Sequence, residues 1–266
     1  MMAGGQKKIE KALAEKRELY LFLDYDGTLA DFAANPDLVE PNPEIIMLLE
    51  ALQAHRHIHP AIISGRKLAH IQELVPIKNM LLAGTYGLEM RMPDGKLYHP
   101  LDLDLIRPQL EQLKTVWISL LDGQEPFYLE DKDWTLAIHA RFARKETAQK
   151  IIDRAEQQAR RTLDAALFQI QADDKFLEAR PWQASKGKCM ESLLKDIPVE
   201  NAGVVYMGDD DKDEEAFAIV QAWGGYAIRV CSNVIKHPIE DWKVANPQAA
   251  RQWLWSLIDK LGRMSP

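Results

Sequence analysis

Leu19-Tyr20-Leu21-Phe22-Leu23, followed at once by Asp24-Tyr25-Asp26-Gly27-Thr28-Leu29, sets the architecture of this 266-residue chain. A short, unbroken apolar run that stops at an acidic residue is the pattern of a parallel strand covered on both faces. Asp24 then stands at the carboxyl end of that strand. His59 to Ile63 repeats the pattern and stops at Ser64, and Gly203 to Met207 repeats it again before Gly208-Asp209-Asp210. After a loop containing Pro36, Pro41 and Pro43, Glu44 to Ala54 carries its apolar residues at helical spacing. Alternation of buried strands with helices predicts an α/β fold built on a parallel sheet. Ligands of such sheets bind outside the carboxyl ends of the strands, so three polar strand ends can serve one site.

The middle of the chain has another rhythm. Phe127 to Glu130 and Trp134 to His139 read as a hairpin around Asp131-Lys132-Asp133, followed by a helix through Ala143 to Arg161. A second strand pair is expected near Ala166 to Gln171 and Lys175 to Ala179. Helix, hairpin, helix, hairpin is the pattern of an α+β layer with an antiparallel sheet, which is not easily merged into a parallel one. The expected organisation is a discontinuous core, 1–104 with 181–266, and an inserted domain at 105–180, with the crossings near Pro100 and Pro181.

Composition narrows the function. A net charge of -7 opposes binding to a polyanion, and no Lys/Arg stripe interleaved with aromatics offsets it, so no nucleic-acid partner is expected. Apolar runs are far shorter than the roughly 20 residues that cross a bilayer, and the charged, helical pattern of Lys7 to Glu18 lacks the apolar core of a signal peptide. No membrane association and a cytoplasmic location are expected. Cys189 and Cys231 stand far apart without ligand-like neighbours and read as reduced structural thiols.

Asp24 and Asp26, at i and i+2 beyond a strand end, can occupy one small volume if Gly27 turns the backbone sharply. Their mutual repulsion either holds one carboxyl protonated or is offset by a bound cation. Taken alone, Asp-x-Asp-Gly also fits a plain turn. An EF-hand loop is disfavoured, because Asn35 stands where that loop needs its twelfth-position Glu.

Asp24-Tyr25-Asp26-Gly27-Thr28 resembles the first motif of the haloacid dehalogenase (HAD) superfamily. Ile62-Ile63-Ser64-Gly65-Arg66 resembles the second, Lys186 in Ser185-Lys186-Gly187 the third, and Gly208-Asp209-Asp210-Asp211-Lys212-Asp213-Glu214 the acidic fourth, all in the superfamily's order. The resemblance implies a Rossmann-like HAD core with an inserted cap, and magnesium-dependent phosphatase chemistry through an aspartyl-phosphate. It makes Asp24 the nucleophile and Asp26 the acid and base. Mg2+ would be held by Asp24, the main-chain carbonyl of Asp26 and Asp209, with Asp213 positioning a coordinated water. Ser64 would donate to the phosphate, Lys186 would balance the charge shared by phosphate and carboxylates, and Arg66 is grouped with the substrate-binding residues. Without the resemblance, Ser64 reads as a turn or helix cap, Lys186 as a surface lysine, and Asp209 to Glu215 as a solvated helix start. For Asp211 and Glu215 that plain reading is kept.

The insert and its flanks are similar to the trehalose-6-phosphate phosphatase family. The similarity lies in Glu130-Asp131-Lys132 ahead of Leu136-Ala137-Ile138-His139-Ala140-Arg141, in Leu177-Glu178-Ala179-Arg180-Pro181 leading to Lys186-Gly187, and in Asp213-Glu214-Glu215-Ala216-Phe217. It implies that Glu130, Lys132 and Glu178 contact sugar hydroxyls, that the substrate is a small sugar phosphate, and that a separate trehalose-6-phosphate synthase is a functional partner. Read by themselves, these charges are a solvated hairpin, and His139 and Arg141 are the polar face of a strand. A phosphatase for another disaccharide or glycoside phosphate is an alternative; a non-catalytic sensor would be expected to lack one of the carboxylates, and all are present. Two positions depart from the family pattern. Tyr86, in Gly84-Thr85-Tyr86-Gly87, replaces the histidine of a usual His-Gly pair, and Lys212 replaces a threonine of the fourth motif.

Overall fold

The computed structural model describes residues 2–15, 18–31, 39–198, 200–231 and 239–262. Asn35 and Pro36 lie outside them. The chain divides into two compact units, Met1–Tyr98 with Ser185–Pro266, and His99–Ala184.

The first unit is an α/β layer structure, as the sequence predicts. Its strands are β1 (Glu18–Leu23), β2 (Ile58–Ile63), β3 (Leu81–Gly84), β4 (Glu89–Arg91) and β5 (Leu97–Tyr98). After the second unit, with β6 to β9, come β10 (Ala202–Gly208), β11 (Tyr226–Val230) and β12 (Trp242–Val244). The eight-stranded sheet has the order β12-β11-β10-β1-β2-β3-β4-β5. From β12 to β3 every pairing is parallel; β4 and β5 add an antiparallel edge. Strand alternation assigns the two faces. Leu19, Leu21 and Leu23 pack against α1 (Met2–Ala14), α2 (Pro43–Ala54) and α8 (Pro247–Gly262), where Ile9, Leu48 and Leu254 meet them. Phe22, with Val204 and Tyr206 of β10, faces α6 (Lys186–Leu194) and α7 (Glu214–Trp223), through Met190 and Phe217. With both faces covered, β10 is buried along its whole length, which is why its sequence reads as an unbroken apolar run. α3 (Leu68–Leu74) lies between β2 and β3 in the chain. Among the described residues, no helix is long and apolar enough to cross a membrane. Cys189 is buried, and burial pushes its thiol up to about 12.

The second unit contains α4 (Leu103–Leu121), β6 (Tyr128–Asp131), β7 (Leu136–His139), α5 (Lys145–Thr162), β8 (Phe168–Asp173) and β9 (Phe176–Pro181). Its sheet, β6-β7-β9-β8, is antiparallel throughout. The unit is wider at both ends than the 105–180 interval read from the sequence. His99 stacks on Trp134, and Trp182 donates its main-chain N–H to Leu167 and its indole N–H to Ala165, each at 3.0 Å. Pro181 is the last residue of β9 and not part of a connection. Leu136, Ile138, Leu177 and Ala179 face the helices and join Leu110, Leu113, Trp117 and Ile152 in one core. The opposite face carries two cross-strand rows, Glu130–Ala137–Glu178 and Tyr128–His139–Phe176.

Candidate active site

β1, β2 and β10 are neighbours at the centre of the sheet, so Asp24, Ser64 and Asp209 emerge at one edge. Asp24, Asp209 and Asp213 each offer a carboxylate oxygen within 4.8 Å of the others. Lys186 Nζ lies between two of them, 2.8 Å from Asp24 Oδ1 and 2.7 Å from Asp213 Oδ1. Because Lys186 opens α6, its side chain is delivered by the helix start, where Ser185 caps by accepting from the Lys188 N–H at 3.2 Å.

Asp213 is fully buried and held by four donors. Its Oδ1 accepts from Lys186 and from the Tyr206 hydroxyl at 2.7 Å, and its Oδ2 accepts the main-chain N–H groups of Asp209 at 3.0 Å and Asp210 at 3.2 Å. This close approach needs Gly208, since a Cβ there would collide with the Asp213 carboxylate carbon. Thr28 bridges Asp24 and Asp209, its hydroxyl 3.5 Å from Asp24 Oδ2 and 3.2 Å from Asp209 Oδ1. Gly27, at φ +78°, turns the backbone between Asp24 and Thr28.

The electrostatics follow from this packing. Burial raises Asp24 well above the usual carboxylate range, Lys186 opposing and the other aspartates adding to it. Burial, then repulsion from Asp210 and Asp213, pushes Asp209 up to about 7. Burial would raise Asp213 too, but Lys186, the Tyr206 hydroxyl and the backbone donors hold it below its ordinary value. Two carboxyls that resist ionisation beside one already neutralised make a cluster whose full charge calls for a cation. An all-oxygen donor set suits a hard ion such as Mg2+ or Ca2+. The residues present therefore fit a divalent metal, with Asp24 and Asp209 as the carboxylates whose charge is least compensated.

Ser64 is buried, and its Oγ accepts the Arg66 main-chain N–H at 3.1 Å, which leaves its O–H a donor. Arg66 turns its guanidinium onto Asp26, with Nε 2.6 Å from Oδ2 and Nη2 2.7 Å from Oδ1. The sequence reading groups Arg66 with substrate-binding residues; here its fork engages the Asp26 carboxylate. The Asp26 side chain consequently stands outside the carboxylate cluster, and its expected metal role rests on the main-chain carbonyl alone. Tyr86 and Lys212, the two departures from the family pattern, touch each other: Lys212 Nζ is 3.1 Å from the Tyr86 hydroxyl.

In the second unit, Lys132 Nζ lies 3.3 Å from Glu178 Oε1 and 3.6 Å from Glu130 Oε2. Glu178 is fully buried and also accepts from the Thr135 hydroxyl at 3.2 Å. Glu130 and Glu178 flank Ala137 in one cross-strand row. Asp131 points elsewhere, to Arg107 and to Lys114 at 2.7 Å. Glu130, Lys132 and Glu178 are thus one ionic group and not a solvated hairpin.

Several residues of these clusters escaped sequence reading. Thr28 sits in the turn after β1 and Tyr206 within β10, positions that their side chains fit without any function. His139, read as a strand's polar face, holds Glu130 Oε2 at 2.8 Å; its place in the same two-residue alternation as Ala137 was the available signal. Glu215, read as solvated, accepts from the Ser185 hydroxyl and ties α7 to the start of α6. Arg229 is 2% exposed, with Glu214 at 2.8 Å, Glu240 at 3.1 Å and the Phe217 ring centroid at 4.9 Å.

A family model described as trehalose-phosphatase matches residues 22–248. A probable trehalose-phosphate phosphatase of Sinorhizobium fredii is 30% identical over 215 residues, covering 79% of this chain and 77% of the relative. The trehalose-6-phosphate phosphatase of Escherichia coli is 29% identical over 240 residues, covering 88% and 84%. Among solved structures, the C-terminal domain of a C. albicans trehalose-6-phosphate phosphatase superposes with a TM-score of 0.83 at 19% identity, covering 96% of each chain. At that identity the likeness supports the fold.

Proposed function

Because this chain belongs to the trehalose-phosphatase family, we propose that it hydrolyses trehalose 6-phosphate to trehalose and phosphate through an aspartyl-phosphate on Asp24. The observation that carries the reading is the Lys186 ammonium held between Asp24 and Asp213, at the strand edge that also brings Asp209 to within 4.8 Å. Phosphoryl transfer asks for in-line geometry and neutralised charge more than for elaborate bond chemistry. The Lys186 ammonium supports the second of these.

Asp24 attacks phosphorus, and the bond to the sugar oxygen breaks as the Asp24–phosphorus bond forms. Asp26 gives its proton to the departing alkoxide, for which it must first leave the Arg66 fork and be protonated; it then takes a proton from the water that hydrolyses the intermediate. Arg66, once released, is an arginine fork at the site, suited to a phosphate. Ser64 donates to a phosphate oxygen. Lys186 keeps its charge on the Asp24 side throughout, because Asp213 is fixed by three further donors and cannot swing away with it. Asp24, Asp209 and the Asp26 carbonyl, with Asp213 acting through water, would hold Mg2+, which supplies further positive charge to the transferring oxygens.

The second unit, as a cap, reads the leaving alcohol in this proposal. Glu130 and Glu178 offer acceptors and Lys132 a donor to sugar hydroxyls, and an analogue lacking a hydroxyl would leave a desolvated charge unpaired. A separate trehalose-6-phosphate synthase would supply the substrate.

The test is phosphate release from trehalose 6-phosphate, glucose 6-phosphate and sucrose 6-phosphate, each with magnesium and with excess chelator. A magnesium-dependent preference for trehalose 6-phosphate is the expected result. Preference for another ester would overturn the substrate and keep the chemistry, and turnover undiminished by chelator would overturn the metal role.

A further inference from the structure

The Lys212–Tyr86 contact joins loops that strand pairing does not bring together. Tyr86 follows β3 and Lys212 follows β10, and β1 and β2 lie between those strands. At a spacing of about 4.8 Å per strand, the two loops meet across about 14 Å of sheet. The Lys212 ammonium is 3.1 Å from the Tyr86 hydroxyl and 5.4 Å from the ring centroid, within reach of the ring's negative face. Tyr86 itself is 3% exposed.

Both ends of this contact are fastened to the site. The Tyr86 N–H donates to the Ser64 carbonyl at 2.9 Å, and the Thr85 N–H donates to the Arg66 carbonyl at 2.7 Å. The Tyr86 ring covers Gly65, where an added Cβ would lie 2.8 Å from Cε1. Thr85 and Tyr86 hold φ at +46° and +58°, a left-handed backbone that residues with a Cβ adopt at a cost. At the other end, Asp210 accepts the Lys212 N–H at 2.9 Å, and Lys212 directly precedes Asp213.

We propose that Lys212 and Tyr86 are a single positioning device, a brace that holds the Ser64–Arg66 loop against the Asp209–Asp213 loop. The two positions that the sequence reading marks as departures from the resemblance are then one linked pair, an ammonium and a phenol in contact. The inference rests on the reading of this edge as a phosphate site, because its expected effect is on phosphate handling and not on the sugar.

The experiment is a double-mutant cycle, Y86H, K212T and Y86H/K212T, with Y86F/K212M as a second cycle should Y86H fold poorly. Histidine is among the residues that tolerate the left-handed region at position 86. For each protein, kcat and KM are measured on trehalose 6-phosphate and on p-nitrophenyl phosphate, and the affinity for inorganic phosphate is measured by titration. The expected result is that K212T and Y86H each lower kcat about tenfold on both esters with little change in KM, and that the double variant is about tenfold better than the product of the two losses. Phosphate affinity should follow the same pattern. Losses that simply multiply, or single variants indistinguishable from the parent on both esters and in phosphate affinity, would overturn the brace. If the parent hydrolyses no phosphate ester, the functional reading fails, and the brace is judged on phosphate affinity alone by the same criterion.

Discussion

Lys186 is 4% exposed and would carry an uncompensated charge in the core if its two aspartates were absent. The reverse holds for Asp24. Its carboxyl is raised first by burial and then by its acidic neighbours, so removing its charge relieves the metal-free protein even as it removes the nucleophile. Asp24→Asn is therefore expected to show no detectable turnover. In chelator it should unfold at a temperature no lower than the parent, and its midpoint should respond less to added magnesium; thermal unfolding with and without the ion checks both. A variant that still turns over in a clean preparation would sink the nucleophile assignment. At this scale Asp24, Ser64 and Asp209 were legible as polar residues at strand ends, while Asp26 and Lys186 were singled out through the resemblance to the HAD motifs. Their partners were not. Nothing in Asp-x-Asp-Gly says that the first carboxylate meets a lysine from another helix while the second meets Arg66.

Elements place these residues through backbone packing. β10 ends at Gly208 with the Asp213 carboxylate folded back onto the Asp209 and Asp210 N–H groups. Gly208→Ala pushes that carboxylate out, and the expected cost is about 2–4 kcal/mol in urea unfolding with a loss of turnover of about 100-fold or more. In the second unit, Asp131 joins α4 to β6 through Arg107 and Lys114. Burial opposes its charge, but both cations hold its carboxyl well below the usual range. A carboxyl lowered on folding stabilises the native state above its unfolded value near 3.9 and loses that contribution as pH falls through the folded value. Asp131→Asn is expected to cost about 1 kcal/mol at pH 7, and the difference from the parent should shrink progressively below about pH 4. Urea unfolding at pH 7 and pH 3 checks this, and a difference that grows on acidification would contradict it. Element type was legible where period was clear: β1, β2 and β10 as apolar runs, and the helical spacing of α2. The margins of the second unit were not, since His99 and Trp182 join it by stacking and indole hydrogen bonds that leave no local period.

For the whole molecule, the assignment of chemistry to one unit and sugar recognition to the other makes a separable prediction. Lys132→Met and Glu178→Gln are expected to reduce kcat/KM on trehalose 6-phosphate at least tenfold more than on p-nitrophenyl phosphate. Equal losses on both esters would remove the recognition role, and circular dichroism of each variant reports whether the antiparallel sheet has held. By itself the sequence determined the α/β class, the strands that end in polar residues and the change to an antiparallel layer in the middle of the chain. These depend on side-chain alternation over a few residues, which is local. Only the tertiary structure decided which groups became partners: Lys186 with Asp24 and Asp213, Arg66 with Asp26, Lys212 with Tyr86, and Lys132 with Glu130 and Glu178. Most of those pairs come from residues 40 or more positions apart, joined by strand order and helix placement. Their charges are matched by burial, which arises only when the whole chain has closed over them.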